Sequence, residues 1–547
     1  MFVGAGLGSA AAPAGATAVT PTFPLGVAAS WARVVAVFVV DVALLAAGAA
    51  AGGRTGWWVG VGLASVLTAA ALVSWRGAAL LTLAWRSVSR RVDSIAPVGV
   101  PLDHDRIFGD APVGIRSVGP HLVAVVAVDG QPHTPSVLDH HRVESLSTLP
   151  LDAVAEGMRQ FDVRLDGIDV VSVGARRAPK THHPYAPVYS SRVGDHPAVG
   201  QRQTWLVARL NAAQSAPAIV WRESVAATMG AAAEWLAQEL TSRRIPARVL
   251  TAAQMRQADE ALLAGADPRG LTAGWGRLRH AGGYVQTYWM SPRDISSPAI
   301  DRLWAPDTDA TAVSVQLRLA ETGATTVGVL VRYHTGGPLA EPPLTGLNPL
   351  SGRHDVGMAA GLIEAKAVPA VPARDLVEGE RLAVAIRATG IIIGTTPTGH
   401  PLLIDVGDPT EMATVTIAGE LALTVQVALR AAATGYQVLV CTQRPQRWQQ
   451  ARGAGLQVAG SAGLSDQLPP ASRRWMLVYD GVSGPAPQGA AVTVRTVASG
   501  GSSSADIHIE QDDAGHAVIR TWAFQYRLRI DLDHERRLTA AGPRRAA

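Results

Sequence analysis

The chain has 547 residues, a formal net charge of +4 and a single cysteine, Cys441. That length holds a membrane segment and two or three domains. The mild charge, without a basic and aromatic-interleaved patch, argues against nucleic acid, and one cysteine excludes an intramolecular disulfide and fits a reducing compartment.

Residues 1–30 are uncharged and rich in Ala, Gly, Pro and Thr. With no helical or strand period they read as a disordered tail, and they lack the basic start of a signal peptide. Between Arg33 and Arg54 lie twenty residues whose one charge is Asp41, and between Arg54 and Arg76 lie twenty-one with none. At about 1.5 Å per residue, each run reaches the roughly 30 Å of a bilayer core. The expectation is a two-helix N-terminal transmembrane hairpin over 31–75, with helices at about 34–53 and 55–75; two buried helices of a soluble core are the alternative. Arg76, Arg86, Arg90 and Arg91 follow the hairpin while its turn holds only Arg54, so the positive-inside bias puts both termini in the cytoplasm. Gly56, Gly60 and Ala64 line one stripe that admits a close helix, and Asp41, costly at mid-membrane, faces protein or is protonated.

Residues 76–100 read as a juxtamembrane helix, either resting its arginines on the headgroups or a plain structural helix. From 101 the periodicity becomes that of α/β cytosolic domains, a layered sheet with packed helices. In the first, 101–305, strands are expected at 121–128, 168–173 and 204–210, helices at 149–161 and 223–244, and a cap at Thr251 for the helix that follows. A second α/β unit, 306–538, opens with strands at 312–319 and 326–333 and a Pro/Gly-rich loop at 336–353. A βαβ pattern follows, strand 402–406, helix 417–433 and strand 437–441, then a parallel strand at 475–479 and short alternating strands. Residues 539–547 form a loose tail.

Chemical motifs are weak. Gly174-Ala175-Arg176-Arg177-Ala178-Pro179-Lys180-Thr181 follows a strand and nearly spells a P-loop. Pro179 stands where glycine is needed, and the His182-His183-Pro184 that follows cannot start the required helix. The turn of the βαβ has neither a glycine fingerprint nor a lysine. Three Asp-x-Asp pairs, 103/105, 307/309 and 531/533, match the metal-holding pair of many glycosyltransferases, at a frequency that 44 acidic residues give by chance. His140-His141 and His182-His183 sit in polar or Pro-rich loops without further ligands and read as solvated. Cys441 reads as a buried strand residue. No catalytic, cofactor-binding or metal-binding residue is assigned.

Four features stand together: the hairpin, the segment Asp103-His104-Asp105-Arg106-Ile107-Phe108-Gly109-Asp110 with Val113-Gly114, the run from Arg159-Gln160-Phe161-Asp162 through Asp166-Gly167-Ile168-Asp169 to Ser172, and Thr204-Trp205-Leu206-Val207-Ala208-Arg209-Leu210. In these the chain resembles the EccE family, the membrane subunit of actinobacterial type VII (ESX) secretion systems. Ala433-Thr434-Gly435-Tyr436 with Gln437-Val438-Leu439-Val440 is a weaker match. The likeness covers roughly residues 30–300 and thins beyond. It implies a non-catalytic subunit of a plasma-membrane translocation complex, assembled with EccB, EccC and EccD, with no active site to carry over and an α/β cytosolic part distantly like glycosyltransferase folds. A membrane-anchored glycosyltransferase-like or nucleotide-binding enzyme is the alternative, and a membrane-tethered sensor the third. A bound nucleotide or metal at an acidic pair discriminates the enzyme from the assembly subunit.

Overall fold

The computed structural model describes residues 25–27, 31–75, 78–79, 81, 99–105, 111–139, 142–178, 182–220, 222–320, 322–365, 371–387, 389–460, 474–484, 490–500 and 504–540. The expected tails, apart from 25–27 and 539–540, lie outside these residues, as do most of the expected juxtamembrane helix and the pair His140-His141. Two of the described pieces in these regions are strands: Leu25–Val27 pairs antiparallel with Val73–Trp75, which pairs with Ala78–Ala79.

One long apolar helical run, Trp31–Leu72, precedes a large sheet-rich body. It is the one helix among the described residues long and apolar enough to cross a membrane. Its apolar side chains face outward, with Phe38 67%, Trp58 64% and Val66 68% exposed, the reverse of a core helix. Non-helical backbone interrupts it at Gly52 (φ −144°, ψ 18°) and Gly53 (φ 53°, ψ −129°). Thr68 Oγ1 donates to Asp41 Oδ2 at 2.6 Å across this break.

The first sheet of the body is antiparallel throughout. In spatial order its main strands are Thr272–Ala273, Leu278–His280, Gly283–Met290, Thr325–Thr335, Ala310–Leu319, Gly167–Ala175, Gln201–Asn211, His121–Val128, Val113–Val118 and Leu102–His104. Period-two alternation decides its layers. Leu122, Ala124, Val126 and Val128 pack with Met229, Ala233, Leu236 and Leu240 of the helix Val225–Ser242. Val123, Val125 and Ala127 pack on the opposite face with Met255, Ala258 and Leu262 of the helix Ala252–Leu263. Ser224 caps the first helix, and Thr251 with Gln254 forms a capping box on the second.

The expected division at 305/306 does not coincide with a gap in strand pairing. Ala310–Leu319 is hydrogen-bonded to Gly167–Ala175 from the other side of it, and the Trp/Gly/Tyr-rich stretch before it supplies the strand Gly283–Met290. The expected helix 149–161 shortens to Leu151–Glu156, because Gly157 ends it and Arg159–Gln160 turns back on Val163–Arg164 through Phe161 at φ 51°.

The second sheet combines a parallel half with an antiparallel one. Its order is Leu456–Ala459, Gln437–Thr442, Trp475–Asp480, Val492–Thr496, Ala413–Ala418 and Ile507–Asp513, all parallel, then His516–Thr521, Gln525–Arg529, Ile391–Thr395, Pro401–Ile404, Pro135–Asp139 and Arg142–Ser145. The expected βαβ is corrected here. The strand before the helix is Ala413–Ala418, and the helix begins at Leu421, whereas Pro401–Ile404 forms a hairpin with Ile391–Thr395. The β-branched run Thr414-Val415-Thr416-Ile417 favours the pleated strand, and Gly419 breaks it before the helix. The helix Leu421–Ala433 is buried along its whole length, as a helix enclosed by a sheet and its neighbours must be.

Candidate functional site

The junction between the two sheets gathers most of the nominated residues. Gly167–Ala175 ends there, and the P-loop-like stretch leaves it as an open turn whose last residues, 179–181, lie outside the described set. Arg177 is ion-paired with Asp307 at 3.1 Å and Asp309 at 3.5 Å, so one nominated motif neutralises another. Arg176 donates to the carbonyls of Ala305 and His196, and Ala178 N donates to Ala433 O at 2.7 Å. The turn is a bracket between sheets, with the Ala178 amide and both guanidiniums bonded to protein acceptors.

His182 and His183 are not solvated, contrary to the sequence expectation. The His183 side chain is buried, with Nε2 at 3.0 Å from Ala451 O and Nδ1 accepting from Tyr185 N at 3.1 Å. His182 Nε2 lies 3.1 Å from Tyr436 O. Burial depresses the His183 pKa, which keeps the ring neutral. Pro184 and the helix Ala186–Val193 carry both rings against the second sheet, a tertiary arrangement that loop composition does not reveal.

Of the other two acidic pairs, Asp103, Asp531 and Asp533 have partners within the chain. Asp103 Oδ1 accepts from Ala252 N at 2.7 Å and so joins Thr251 in capping the helix Ala252–Leu263. Asp531 lies 3.7 Å from Arg192, and Asp533 3.2 Å from Arg536. Cys441 is a buried strand residue, as expected, and burial raises its thiol pKa.

The carboxyl ends of the parallel strands, where α/β sheets hold ligands, show what sequence reasoning missed. At the first turn of the helix Leu421–Ala433, where a phosphate would sit, stands Glu420. Its carboxylate is held by Arg536 at 2.7 Å and by Gln511 at 3.1 Å, bonds that lower its pKa. Asp480 ends Trp475–Asp480 and receives Thr442 Oγ1, Arg444 and Trp448 Nε1. Burial alone would raise its pKa, and these three partners outweigh it. An aspartate closing the apolar run 475–479 is the signal that could have found it. One three-residue cluster with metal-compatible spacing occurs among the described residues, Asp512, Asp513 and His516. Arg527 already lies 2.7 Å from Asp512 and 3.4 Å from Asp513. These carboxylates are ion-pair acceptors, each tied to a cation of the chain itself.

Comparison with known proteins agrees with this picture. The family described as type VII ESX secretion system translocon, EccE, matches residues 198–290. The chain is 35% identical over 386 residues to the ESX-5 secretion system protein EccE5 of Mycobacterium tuberculosis, covering 66% of this chain and 95% of that protein. The chain belongs to the EccE family of the type VII (ESX) secretion system. EccE5 of Mycobacterium marinum is 33% identical over 389 residues, 66% of this chain and 96% of the relative. EccE2 of Mycobacterium tuberculosis is 28% identical over 351 residues, 62% of each. In this EccE chain the family match runs from Gln201–Asn211 through both covering helices to Gly283–Met290, so it falls on the first sheet.

Proposed function

We propose that this chain is a non-catalytic structural and assembly subunit of the type VII secretion complex, seated in the plasma membrane by a two-helix hairpin. Both termini and the α/β body lie in the cytoplasm, beside subunits of the EccB, EccC and EccD types. The observation that carries the anchoring is the break at Gly52 and Gly53 together with the Thr68 to Asp41 bond. A straight helix would hold residues 41 and 68 roughly 40 Å apart. The pairing of Leu25–Val27 with Val73–Trp75 supports the same reversal from outside the helical run. Arg76, Arg86, Arg90 and Arg91 supply the cytoplasmic charge bias.

The non-catalytic reading rests on the carboxylates. Asp307, Asp309, Glu420 and Asp480 are each bound by an arginine, and Asp103 by a helix N-terminus, which leaves them poorly placed to hold a metal-bound nucleotide. The two sheets offer the division of the cytoplasmic body into two units, each with faces for docking.

The test is purification of the tagged chain in mild detergent, with and without residues 1–76. The full chain is expected to recover companion secretion subunits, and the truncated chain to leave the membrane without them. Recovery of the complex at full yield by the truncated chain overturns the anchoring role.

A further inference from the structure

The second sheet parts along one seam. Ile391–Thr395 and Gln525–Arg529 are neighbours in strand order but share one backbone pair, Thr395 with Arg529. A register shift between Ile392 and Gly394 bends the first strand away. Into this seam the helix Leu421–Ala433 sends Arg430, which is 3% exposed. Arg430 Nη1 donates to the carbonyls of Ile392 and Ile393, and its buried Nε–H has no acceptor. Among the described residues no carboxylate is ion-paired with this guanidinium. The buried carboxylate of Glu535 is bonded to the Tyr185 hydroxyl at 3.0 Å instead.

Arg430 lines a cavity of about 320 Å³ together with Arg192, Arg529, Asp531 and the backbone of residues 392–395. Three arginines and one carboxylate line it, and Asp531 is 66% exposed and 3.7 Å from Arg192. Arg529 is exposed at the rim. Burying a guanidinium without a counter-charge is costly, and strand carbonyls offset only part of that cost. The surplus of two positive charges matches a dianion, and the flat donor fork of arginine matches phosphate oxygens.

We infer that this cavity binds the terminal phosphate of a phosphate monoester, with Arg430 at its floor and Arg192 and Arg529 at its mouth. Phosphate of this kind is carried by small soluble metabolites and by one class of lipid headgroup. The cavity volume suits the phosphate and a short stem, and the recognition chemistry is the same for both.

The test uses the full-length protein purified in detergent, titrated by calorimetry with inorganic phosphate and, after reconstitution, with vesicles containing phosphatidate. Saturable binding of free phosphate supports a soluble ligand, and binding to the phosphatidate vesicles alone supports the headgroup. Arg529→Gln, at an exposed position, is expected to weaken either by about tenfold, the worth of one charge-assisted hydrogen bond. Arg430→Gln is expected to abolish it, with the melting temperature read alongside to separate lost binding from lost folding. No saturable binding to either probe, or an unchanged affinity in Arg529→Gln, overturns the assignment.

Discussion

Asp480 has no exposed side-chain surface, yet its pKa lies below the ordinary carboxylate value because Thr442, Arg444 and Trp448 converge on it. Asp480→Ala would strand the buried donors of Thr442 and Trp448 and release the half-exposed Arg444 to solvent, and the expected loss of stability is about 2 kcal/mol. A thermal melt of the purified variant checks this, and an unchanged melting temperature refutes it. On the first sheet, Arg332 answers its burial differently, donating to the carbonyls of Leu262 and Met358 and to His334 Nε2. Burial lowers its pKa to about 10. His334 is held well below 6.5 by burial, then by Arg332 and His280, and burial lowers His354 to about 4 while its Nδ1 accepts a bond from Thr287 N. Both rings are neutral in the fold and take up protons on unfolding once the pH drops below about 6.5. Their contribution is therefore full above that pH and is lost as pH falls toward 4, His354 alone accounting for about 3 kcal/mol at pH 4. Melting temperatures between pH 7.5 and 4.5 are expected to fall, and His354→Asn to flatten the slope. Equal slopes in the two proteins would remove this assignment.

At the scale of elements, the small-residue stripe of the apolar run finds its neighbour within the run. A Cβ on Gly56 would lie 2.1 Å from Gly48 O, and one on Gly60 3.0 Å from Leu44 O. Gly62 has nothing within 4 Å. Gly56→Val is thus expected to force the two stretches apart and lower the yield of membrane-assembled complex severalfold, while Gly62→Ala leaves it unchanged. Quantitative recovery of the complex in detergent compares them, and an equal effect of both substitutions would count against close packing there. Elsewhere, the elements show how local signals compete. Thr251 caps its helix as the sequence indicates, since a cap is decided by residues within four positions. The strand Ala413–Ala418 was missed and its last two residues fell in the expected helix 417–433, because its apolar residues run on into those of Leu421–Ala433 and periodicity does not mark a boundary between two buried elements.

For the whole molecule, the arginine bias predicts that the turn after Gly53 faces away from the cytoplasm and the body faces into it. The native thiol, Cys441, is buried, so an introduced cysteine reports alone. In intact cells, Thr55→Cys is expected to react with a membrane-impermeant maleimide and Thr398→Cys, in an exposed turn, to react after lysis. The reverse pattern would invert the topology. The two sheets that form the body are joined by contacts no local pattern announces: Ala178 to Ala433, Gly390 to Val199, and Arg387, which bonds both Asp129 O and Asp405.

The sequence by itself determined the apolar run and its charge asymmetry, most of the longer strands and helices, the caps and the family. Each of these is a matter of composition or of spacing within a few residues, where side-chain chemistry acts directly on the nearby backbone. Tertiary structure alone decided that Ala310–Leu319 joins the sheet of Gly167–Ala175, that Arg177 closes on Asp307 and Asp309, that His183 is buried, and that Arg430 stands in a seam without a carboxylate partner. The first three of those outcomes depend on residues that meet across more than a hundred positions of chain, and the last on a helix residue that meets a strand 37 and 38 positions before it. Hydrophobic burial drives such meetings without regard to sequence distance, so no local period carries them.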